Sequence, residues 1–195
     1  MYDKEIIKIY ESENALKRGH FKLSSGKHSS IYLQSAIVLS VPKHLNVIAK
    51  LMVSKIEKLF DISNIDLIVS PAMGGVIIGN KIGELLNKRS IFLERVESIF
   101  TLRRGFEIKN NNKVLLIEDV ITTGKSSIES ALCVNSFGAK VVGLASIIDR
   151  SSQVINFNFP FISIAKIDAP IFSKDEIPDD LKNIPALKPG SRFVK

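Results

Sequence analysis

The amino-acid sequence predicts an α/β protein with a parallel sheet flanked by helices. The first indication is short, continuous apolar runs such as residues 114–117, which strands need when helices cover both faces of a sheet. A second is that segments with apolar residues three and four positions apart alternate with these runs. A third is that glycine or charged residues follow the runs at 70–75, 118–126 and 149–150. Open α/β sheets bind their ligands at this end of the strands.

The N-terminal residues carry two different patterns. Apolar residues at helical spacing in 2–18, with Gly19 where a helix C-terminus favours glycine, predict an amphipathic helix packed on the main body. Residues 19–40 then alternate short apolar and polar residues around Gly26, which predicts a hairpin or an irregular β-segment. The serines, lysine and histidine at 24–30 could form a ligand-facing rim, although clustered serines are more often ordinary loop.

The next elements follow the strand and helix alternation. Residues 42–60 repeat apolar positions at helical spacing, with Ser40 as a candidate cap, and predict a helix. A short buried strand at 65–69 leads through a glycine turn into a second helix. This unit resembles the one at 113–137, so two anion pockets are expected at the same sheet edge. Residues 90–93 predict a third strand.

The remaining chain contains one long polar excursion and two further strands. Residues 94–112 are charged and have no clean period, which is typical of mobile lids between buried strands. Gly138 is expected to end the helix that follows the strand at 114–117. Residues 141–148 and 159–164 predict the fourth and fifth strands, and the proline-rich chain past 167 predicts a loosely structured cap or tail.

Composition narrows the class of protein. A chain of 195 residues, 45% of them hydrophobic, can bury a substantial core and fits one domain with a small appendage. A single cysteine, Cys133, allows no intrachain disulfide, and without a signal peptide or a long apolar span we expect a cytoplasmic protein and no membrane partner. The net charge of +7 suits nucleic acid, an anionic membrane surface or small anions. No basic run exceeds two residues, so a nucleic-acid partner is not expected.

The segment KVLLIEDVITTGKS predicts a phosphosugar site. Glu118 and Asp119 follow the apolar run and can accept hydrogen bonds from two sugar hydroxyls, while the loop at 122–126 offers hydroxyls and N–H groups at a helix N-terminus for a phosphate. An ATP-binding P-loop fails because Asp119 stands where that pattern needs its first glycine. A Rossmann dinucleotide fingerprint fails because no G-x-G-x-x-G follows a predicted strand.

The same segment resembles the phosphoribosyl pyrophosphate (PRPP) motif of type I phosphoribosyltransferases. With GHFKLSSGKHSSIYLQSA, SPAMGGVIIG, LRRGF and IIDRSS, the resemblance narrows to the orotate phosphoribosyltransferase family and covers most of residues 15–152. It implies a Rossmann-like parallel sheet flanked by helices within one domain, 1–195. It also implies a PRPP-binding core at about 41–166 and a small hood formed by about 1–40 and 167–195.

The resemblance also implies roles for particular residues. Arg95 and Asp119 are the expected catalytic residues, and Thr122 and Arg150 match the orotate-binding positions. The loop at 70–75 is expected to touch pyrophosphate through a non-proline cis peptide. The residues expected to bind PRPP are Glu118, Asp119, Val120, Ile121, Thr122, Thr123, Gly124, Lys125, Ser126 and Arg95, with Arg103, Arg104, Ser24, Gly74 and Gly75 as further candidates.

The chain departs from the best-known members of that family at three places. Residues 96–102 contain neither the lysines nor the histidine of their mobile loop. Gly74 replaces a lysine of the pyrophosphate loop, and Ser24 replaces an orotate-contacting lysine. Arg103 and Arg104 are the candidates that supply the missing positive charge.

The implied reaction is displacement of pyrophosphate from PRPP by a ring nitrogen of orotate, which gives orotidine 5'-monophosphate for UMP biosynthesis. The resemblance implies Mg²⁺ held mainly by PRPP rather than by protein side chains, and a homodimer in which the loop starting at Arg95 reaches across the interface. Two alternatives stay open from the sequence: a type I transferase for another base, and a regulator of the same fold that senses PRPP or binds RNA.

Overall fold

The computed structural model describes residues 2–23 and 26–188, which form two sheets and six helices within those ranges. None of the helices in this part of the chain combines the length and apolar sequence that a bilayer crossing needs. The helices are α1 Tyr2–Ser12, α2 Ser35–Leu39, α3 Pro42–Leu59, α4 Gly74–Leu86, α5 Lys125–Ser136 and α6 Asp179–Lys182. The strands are β1 Leu16–Lys22, β2 His28–Leu33, β3 Leu67–Pro71, β4 Arg89–Val96, β5 Ile99–Leu102, β6 Lys113–Ile121, β7 Lys140–Asp149, β8 Phe161–Lys166 and β9 Ile171–Phe172.

The main sheet has six strands in the order β5-β4-β3-β6-β7-β8, and only β5 runs antiparallel to its neighbour. Strand β6 lies inside the sheet, with β3 on one side and β7 on the other. Its residues from Val114 to Ile117 are fully buried, because helices cover both faces. The predicted parallel sheet flanked by helices is therefore confirmed.

The two faces of β6 contribute to two separate apolar cores. Leu115 and Ile117 pack in one core, with side chains of α1, α3 and α4. Val114 and Leu116 pack in the other, with side chains of α5. Because successive strand residues point to opposite faces, Glu118 continues the α5 side and Asp119 continues the α4 side.

A small second sheet joins the two ends of the chain. β1 and β2 form an antiparallel pair, as the alternating pattern predicts, and β9 pairs with the other edge of β2. Leu187 adds an isolated bridge to Phe21. The chain past 167 is therefore more regular, up to residue 188, than the loosely structured cap predicted from its prolines, since pairing with β2 satisfies its backbone.

The N-terminal helix is shorter than its apolar spacing predicts. α1 ends at Ser12, and Asn14 takes a left-handed backbone conformation with φ of 52° before β1 begins at Leu16. Gly19 ends no helix; it has φ of +148° inside β1, where the pairing register shifts between Arg18 and Phe21. The prediction of a helix over 2–18 is wrong past Ser12, because tertiary pairing with β2 overrides the helical spacing.

Two further local predictions are wrong. Ser40 does not cap α3, whose N-cap is Val41; the Ser40 hydroxyl instead donates to the Ile37 carbonyl at the end of α2. Residues 94–112 are not an irregular lid throughout, because β4 extends to Val96 and returns as β5. Glu97 and Ser98 form the turn, both with positive φ, as a tight two-residue hairpin requires.

Candidate active site

The two predicted carboxylates lie near the carboxyl end of β6 and still belong to the strand, which extends to Ile121. The Glu118 side chain is only 6% exposed, whereas Asp119 is partly buried. Because they are consecutive on a strand, their side chains leave β6 on opposite faces. The site is therefore built from both layers of helices, with one carboxylate facing each layer.

The first turn of α4 closes one side of the Asp119 carboxylate. A Cβ atom added at Gly74 would lie 2.4 Å from Asp119 Oδ1, so only glycine fits at this contact. A Cβ atom at Gly75 would lie 2.7 Å from the Ile117 carbonyl oxygen, so this glycine keeps α4 close to β6. The N-terminus of a helix stabilises a nearby negative charge. The predicted cis peptide is present in this loop, between Ala72 and Met73.

Burial raises the pKa of both carboxyl groups. For Glu118 burial is the main cause, the nearby Asp119 charge raises the pKa further, and the Arg95 cation acts in the opposite direction. For Asp119 burial is again the main cause, and a hydrogen bond from the Ser35 side chain acts against it. Two adjacent carboxylates with raised pKa values are typical of a ligand site rather than of a structural ion pair.

The loop at 122–126 connects β6 to α5 in the form that the sequence predicts. Gly124 has φ of +72° and directly precedes α5. As a glycine it has no side chain that could cap the helix. The Thr123 hydroxyl accepts a weak hydrogen bond from the Lys125 N–H at 3.4 Å. The N–H groups at the start of a helix suit a phosphate.

Two apolar side chains, Ile155 and Phe157, lie close to the loop at Gly124. A Cβ atom at this position would lie 2.9 Å from Ile155 Cγ2 and 3.0 Å from Phe157 Cζ. Of the two apolar residues of β6 expected to contact PRPP, Val120 packs against the apolar core and Ile121 is buried. Their side chains therefore face protein, and both residues pair with β7 through the backbone.

Arg95 lies next to the loop and is held there by several contacts. Its Nη2 is 2.5 Å from Glu129 Oε2 and 3.4 Å from Ser126 Oγ, both on α5. Its Nη1 donates to the Ser98 carbonyl at 2.6 Å, and its guanidinium stacks 4.0 Å from the centre of the Phe100 ring. The structure thus brings the predicted Arg95 and Ser126 together on the Glu118 side of the sheet.

Arg103 and Arg104 make different contacts. Both pair with Glu94, Arg103 at 3.6 Å, and Arg104 also lies over the Phe92 ring. Glu94 precedes Arg95 on β4, so the two side chains leave the strand on opposite faces. The structure therefore does not bring these two arginines to the loop at 122–126. Ser24 lies outside the residues that the structure describes.

Arg150 enters the site from the neighbouring strand, one residue past the end of β7. Its backbone N–H donates to the Ile121 carbonyl at 2.9 Å, so the guanidinium and Thr122 start from adjacent strand ends. The buried guanidinium donates through Nη2 to Ser29 Oγ at 2.9 Å, whereas Nε has no hydrogen-bond partner. Burial lowers the pKa of Arg150. A buried cation with an unused donor fits an anionic ligand.

Sequence reasoning missed the residues that hold the predicted ones in place. Ser35 contacts Asp119, Glu129 pairs with Arg95, and Tyr10 donates to Ser35 across 25 positions of sequence. Tyr10 has only a helical spacing in the sequence, which also describes an ordinary core residue. No linear motif marks such partners, because the contacts arise from packing between distant elements.

Comparison with known proteins gives consistent results over the whole chain. Residues 35–181 match the family described as the phosphoribosyl transferase domain. A protein of Erythrobacter litoralis named orotate phosphoribosyltransferase is 43% identical over 192 residues, covering 98% of this chain and 99% of its own length. A protein of Sphingopyxis alaskensis with the same name is 44% identical over 195 residues, covering 100% of this chain and 99% of its own.

A solved structure agrees at the level of the fold. The crystal structure of orotate phosphoribosyltransferase from Aeropyrum pernix matches with a TM-score of 0.70 and 23% identity, covering 83% of this chain and 93% of that one. The fold is therefore that of the type I phosphoribosyltransferases. With two relatives above 40% identity over nearly their full lengths, this chain belongs to the orotate phosphoribosyltransferase family.

Proposed function

We propose that this protein is an orotate phosphoribosyltransferase, which transfers the ribosyl 5-phosphate group of PRPP to orotate. The products are orotidine 5'-monophosphate and pyrophosphate, and the pathway served is UMP biosynthesis. One observation carries the proposal beyond family membership. The carboxylates of Glu118 and Asp119 and the loop at 122–126 lie at the sheet edge where β6 and β7 end. Beside them is the buried Arg150, which pairs with no carboxylate among the described residues.

The carboxylate pair and the loop are proposed to bind PRPP. Glu118 and Asp119 accept hydrogen bonds from the ribose hydroxyls, which are donors when the carboxylates are ionised. The N–H groups and hydroxyls of residues 122–126 hold the 5-phosphate at the N-terminus of α5. Support comes from Gly124, which places no side chain at the start of α5 and has a left-handed backbone conformation.

Arg150 and Thr122 are proposed to bind orotate. The guanidinium has an unused Nε donor and can pair with the carboxylate of orotate, which uracil lacks. A buried donor left unpaired by uracil makes that base a poor substrate. Ser29 would hold the guanidinium through the 2.9 Å hydrogen bond from Nη2.

Catalysis is proposed to depend on alignment and charge neutralisation. Orotate is already a stabilised anion, so the protein needs little general-base chemistry. Holding the ring nitrogen in line with the anomeric carbon lowers the barrier by orientation. Arg95, which contacts Ser126, is proposed to neutralise charge on the departing pyrophosphate, as fixed cations do in electrostatic catalysis.

The donor set at the site is compatible with Mg²⁺. The described residues contain no group of three or more histidine, cysteine, aspartate or glutamate side chains arranged to hold a metal ion. Glu118 and Asp119 are nevertheless carboxylates, the hard oxygen ligands that Mg²⁺ prefers, and PRPP supplies many further oxygens. We therefore propose a Mg²⁺ ion held mainly by PRPP, with these carboxylates as its nearest protein donors. When bound, the ion would neutralise phosphate charge.

The proposed context is a cytoplasmic homodimer without a nucleic-acid partner. The family resemblance supports the dimer, and side chains such as Ile99 and Leu132 are exposed on the described surface. The positive charges are dispersed along the sequence rather than grouped in a basic run, which does not favour nucleic acid. Light scattering of the purified protein would test the dimer, and a titration with RNA at low salt would test the second point.

The decisive experiment is a pyrophosphate-release assay with PRPP, Mg²⁺ and separate bases. We expect rapid release with orotate and little with uracil, hypoxanthine or adenine. Turnover with a purine instead of orotate would favour the alternative of a type I transferase for another base. PRPP binding without turnover on any base would favour the PRPP-sensing regulator.

A further inference from the structure

A line of two buried hydroxyls leads from the N-terminal helix to the proposed catalytic carboxylate. The Tyr10 hydroxyl on α1 donates to Ser35 Oγ at 2.9 Å. Ser35, the first residue of α2, makes a side-chain hydrogen bond to Asp119 that lowers the pKa of its carboxyl group. Tyr10 is 0% exposed and Ser35 is 1% exposed, so water does not compete for these bonds.

The direction of each hydrogen bond follows from the number of protons. A serine hydroxyl has one hydrogen, and an ionised carboxylate can only accept. Because Tyr10 already donates to Ser35 Oγ, the Ser35 hydrogen is available for Asp119. The order is therefore Tyr10 to Ser35 to Asp119, and each donor polarises the next.

The backbone of α4 also closely approaches the Asp119 carboxylate. A Cβ atom at Gly74 would lie within 2.6 Å of all three terminal atoms of the Asp119 side chain. The carboxylate therefore contacts both the Ser35 hydroxyl and the first turn of α4. These two contacts restrict its rotation, which limits the directions of its free lone pairs.

We propose that Tyr10 and Ser35 are positioning residues that orient Asp119 for the ribose hydroxyls of PRPP. They act through Asp119 and are distinct from the residues of the loop and of the orotate pocket. The inference rests on the proposed function. It adds α1, an element outside the residue range that matches the phosphoribosyl transferase domain, to the machinery of PRPP binding.

Among the described residues, the Asp119 charge raises the pKa of three groups, namely Glu118, Tyr10 and Tyr32. Burial and Asp119 both raise the pKa of Tyr32, and burial is the larger cause. The Ser35 hydrogen bond favours the ionised form of Asp119, so its loss raises the pKa of that carboxyl group further. Glu118 faces the other side of β6, where Arg95 lies, and keeps its surroundings in Ser35 variants.

The test compares Ser35→Ala and Tyr10→Phe with Ser130→Ala, a control that removes a fully buried hydroxyl without a hydrogen-bond partner on α5. We expect Ser35→Ala to lower kcat/KM for PRPP about 10- to 100-fold, the effect of one hydrogen bond to a charged group. The acidic limb of the pH profile should move to higher pH. Tyr10→Phe should shift it in the same direction by less, and neither variant should change KM for orotate.

A double-mutant cycle separates positioning from general destabilisation. In an Asp119→Ala background, Ser35→Ala should have little further effect on PRPP affinity, because no hydrogen-bond acceptor remains at position 119. Ser35→Thr, which keeps a hydroxyl donor, should retain the wild-type pH limb. An unchanged PRPP dependence and pH profile in Ser35→Ala would overturn the proposal, and so would a full effect of Ser35→Ala in the Asp119→Ala background.

Titration calorimetry with PRPP and Mg²⁺ distinguishes this failure from that of the proposed function. If wild-type protein binds PRPP but does not turn over orotate, the proposed reaction is wrong. The effect of Ser35→Ala on PRPP affinity then still decides the positioning role. If wild-type protein turns over orotate and Ser35→Ala matches it in both assays, the positioning role alone is wrong.

Discussion

Arg150 is a buried cation that forms no ion pair with the carboxylates of the described residues. The sequence predicted its role only through the family resemblance, since an arginine after a strand is common. The structure adds a physical reason, because burial already disfavours the charge and an unused Nε donor has no protein partner. An anionic substrate would remove both costs.

We therefore predict that Arg150→Ala selectively weakens orotate recognition. Loss of a buried charged partner should raise KM for orotate by on the order of 100-fold, while PRPP affinity stays near wild type. Arg150→Lys is the matched control, because it keeps the charge but loses the planar set of donors, and it should give an intermediate value. Steady-state kinetics with each substrate varied in turn measure both effects. An unchanged KM for orotate would exclude the proposed contact.

Glu118 gives a second prediction at this scale, on stability. Burial, and then Asp119, raise the pKa of this carboxyl group above its value in the unfolded chain. The folded protein then binds the proton more tightly, so the contribution of Glu118 to stability is present at low pH and is lost as pH rises through the folded pKa. As pH rises, the cost of keeping this proton or of burying the charge therefore destabilises the ligand-free protein.

Glu118→Gln should accordingly raise Tm near neutral pH and flatten its dependence on pH, while lowering activity. For a chain of this size, each kcal/mol corresponds to about 2–4 °C in Tm. Glu107→Gln is a control at an exposed glutamate and should leave the pH dependence as in wild type. Thermal unfolding followed by circular dichroism from mildly acidic to neutral pH makes the comparison. A lower Tm for Glu118→Gln across this range would contradict the assigned cause.

The connection between β6 and α5 is the element on which PRPP binding is proposed to depend. Its geometry rests on Gly124, which combines a left-handed backbone with close contacts to Ile155 and Phe157. The sequence predicted the loop and the helix after it. The contact with residues 155–157 could not be predicted, because those residues carry no motif and approach through the tertiary fold.

Gly124→Ala should therefore weaken PRPP binding by more than its loss of folding stability alone would explain. Gly105→Ala is a matched control, because Gly105 has φ of +69° but nothing within 4 Å of an added Cβ atom. Both variants should lose about 1 kcal/mol of stability from backbone strain. Only Gly124→Ala should raise KM for PRPP, because its methyl group would displace Ile155 or the loop. Equal PRPP kinetics in the two variants would count against this account.

The hairpin of β4 and β5 differs from the lid predicted for this segment. The charged residues after 94 have no clean period, which indicated an irregular lid. The chain instead turns at Glu97 and Ser98, and β5 pairs with β4. Two successive residues with positive φ are usually signalled by glycine or asparagine, and neither is present at this turn. Contacts of Arg95 with Ser98 and Phe100 stabilise the return strand instead.

Across the whole molecule, the sequence predicted which strands and helices form better than it predicted the residues at which they begin and end. Apolar runs identified the buried strands at residues 114–117 and 141–148, because a sheet covered on both faces leaves little choice of residue. The N-terminal helix was predicted six residues too long, because pairing of β1 with β2 is a long-range interaction. Within the proposed site, residues in a motif were predicted, and partners such as Tyr10 and Glu129 were not.

The two sheets meet at the proposed active site through Arg150, which follows β7 and bonds to Ser29 on β2. We predict that PRPP and orotate together slow amide hydrogen exchange in β2 as well as in β6, because a ligand on Arg150 stabilises both sheets. Hydrogen exchange followed by mass spectrometry measures this. Arg150→Ala should abolish the protection of β2 while keeping that of β6 with PRPP. Protection confined to the main sheet in wild type would contradict the link.

The contact of Gly74 with Asp119 couples substitutions at the two positions. Any side chain at position 74 is incompatible with this arrangement of the acid, since even a Cβ atom would overlap the carboxylate. A larger residue at 74 would therefore be tolerated only together with a different placement of the Asp119 carboxylate, so the two positions are expected to be epistatic.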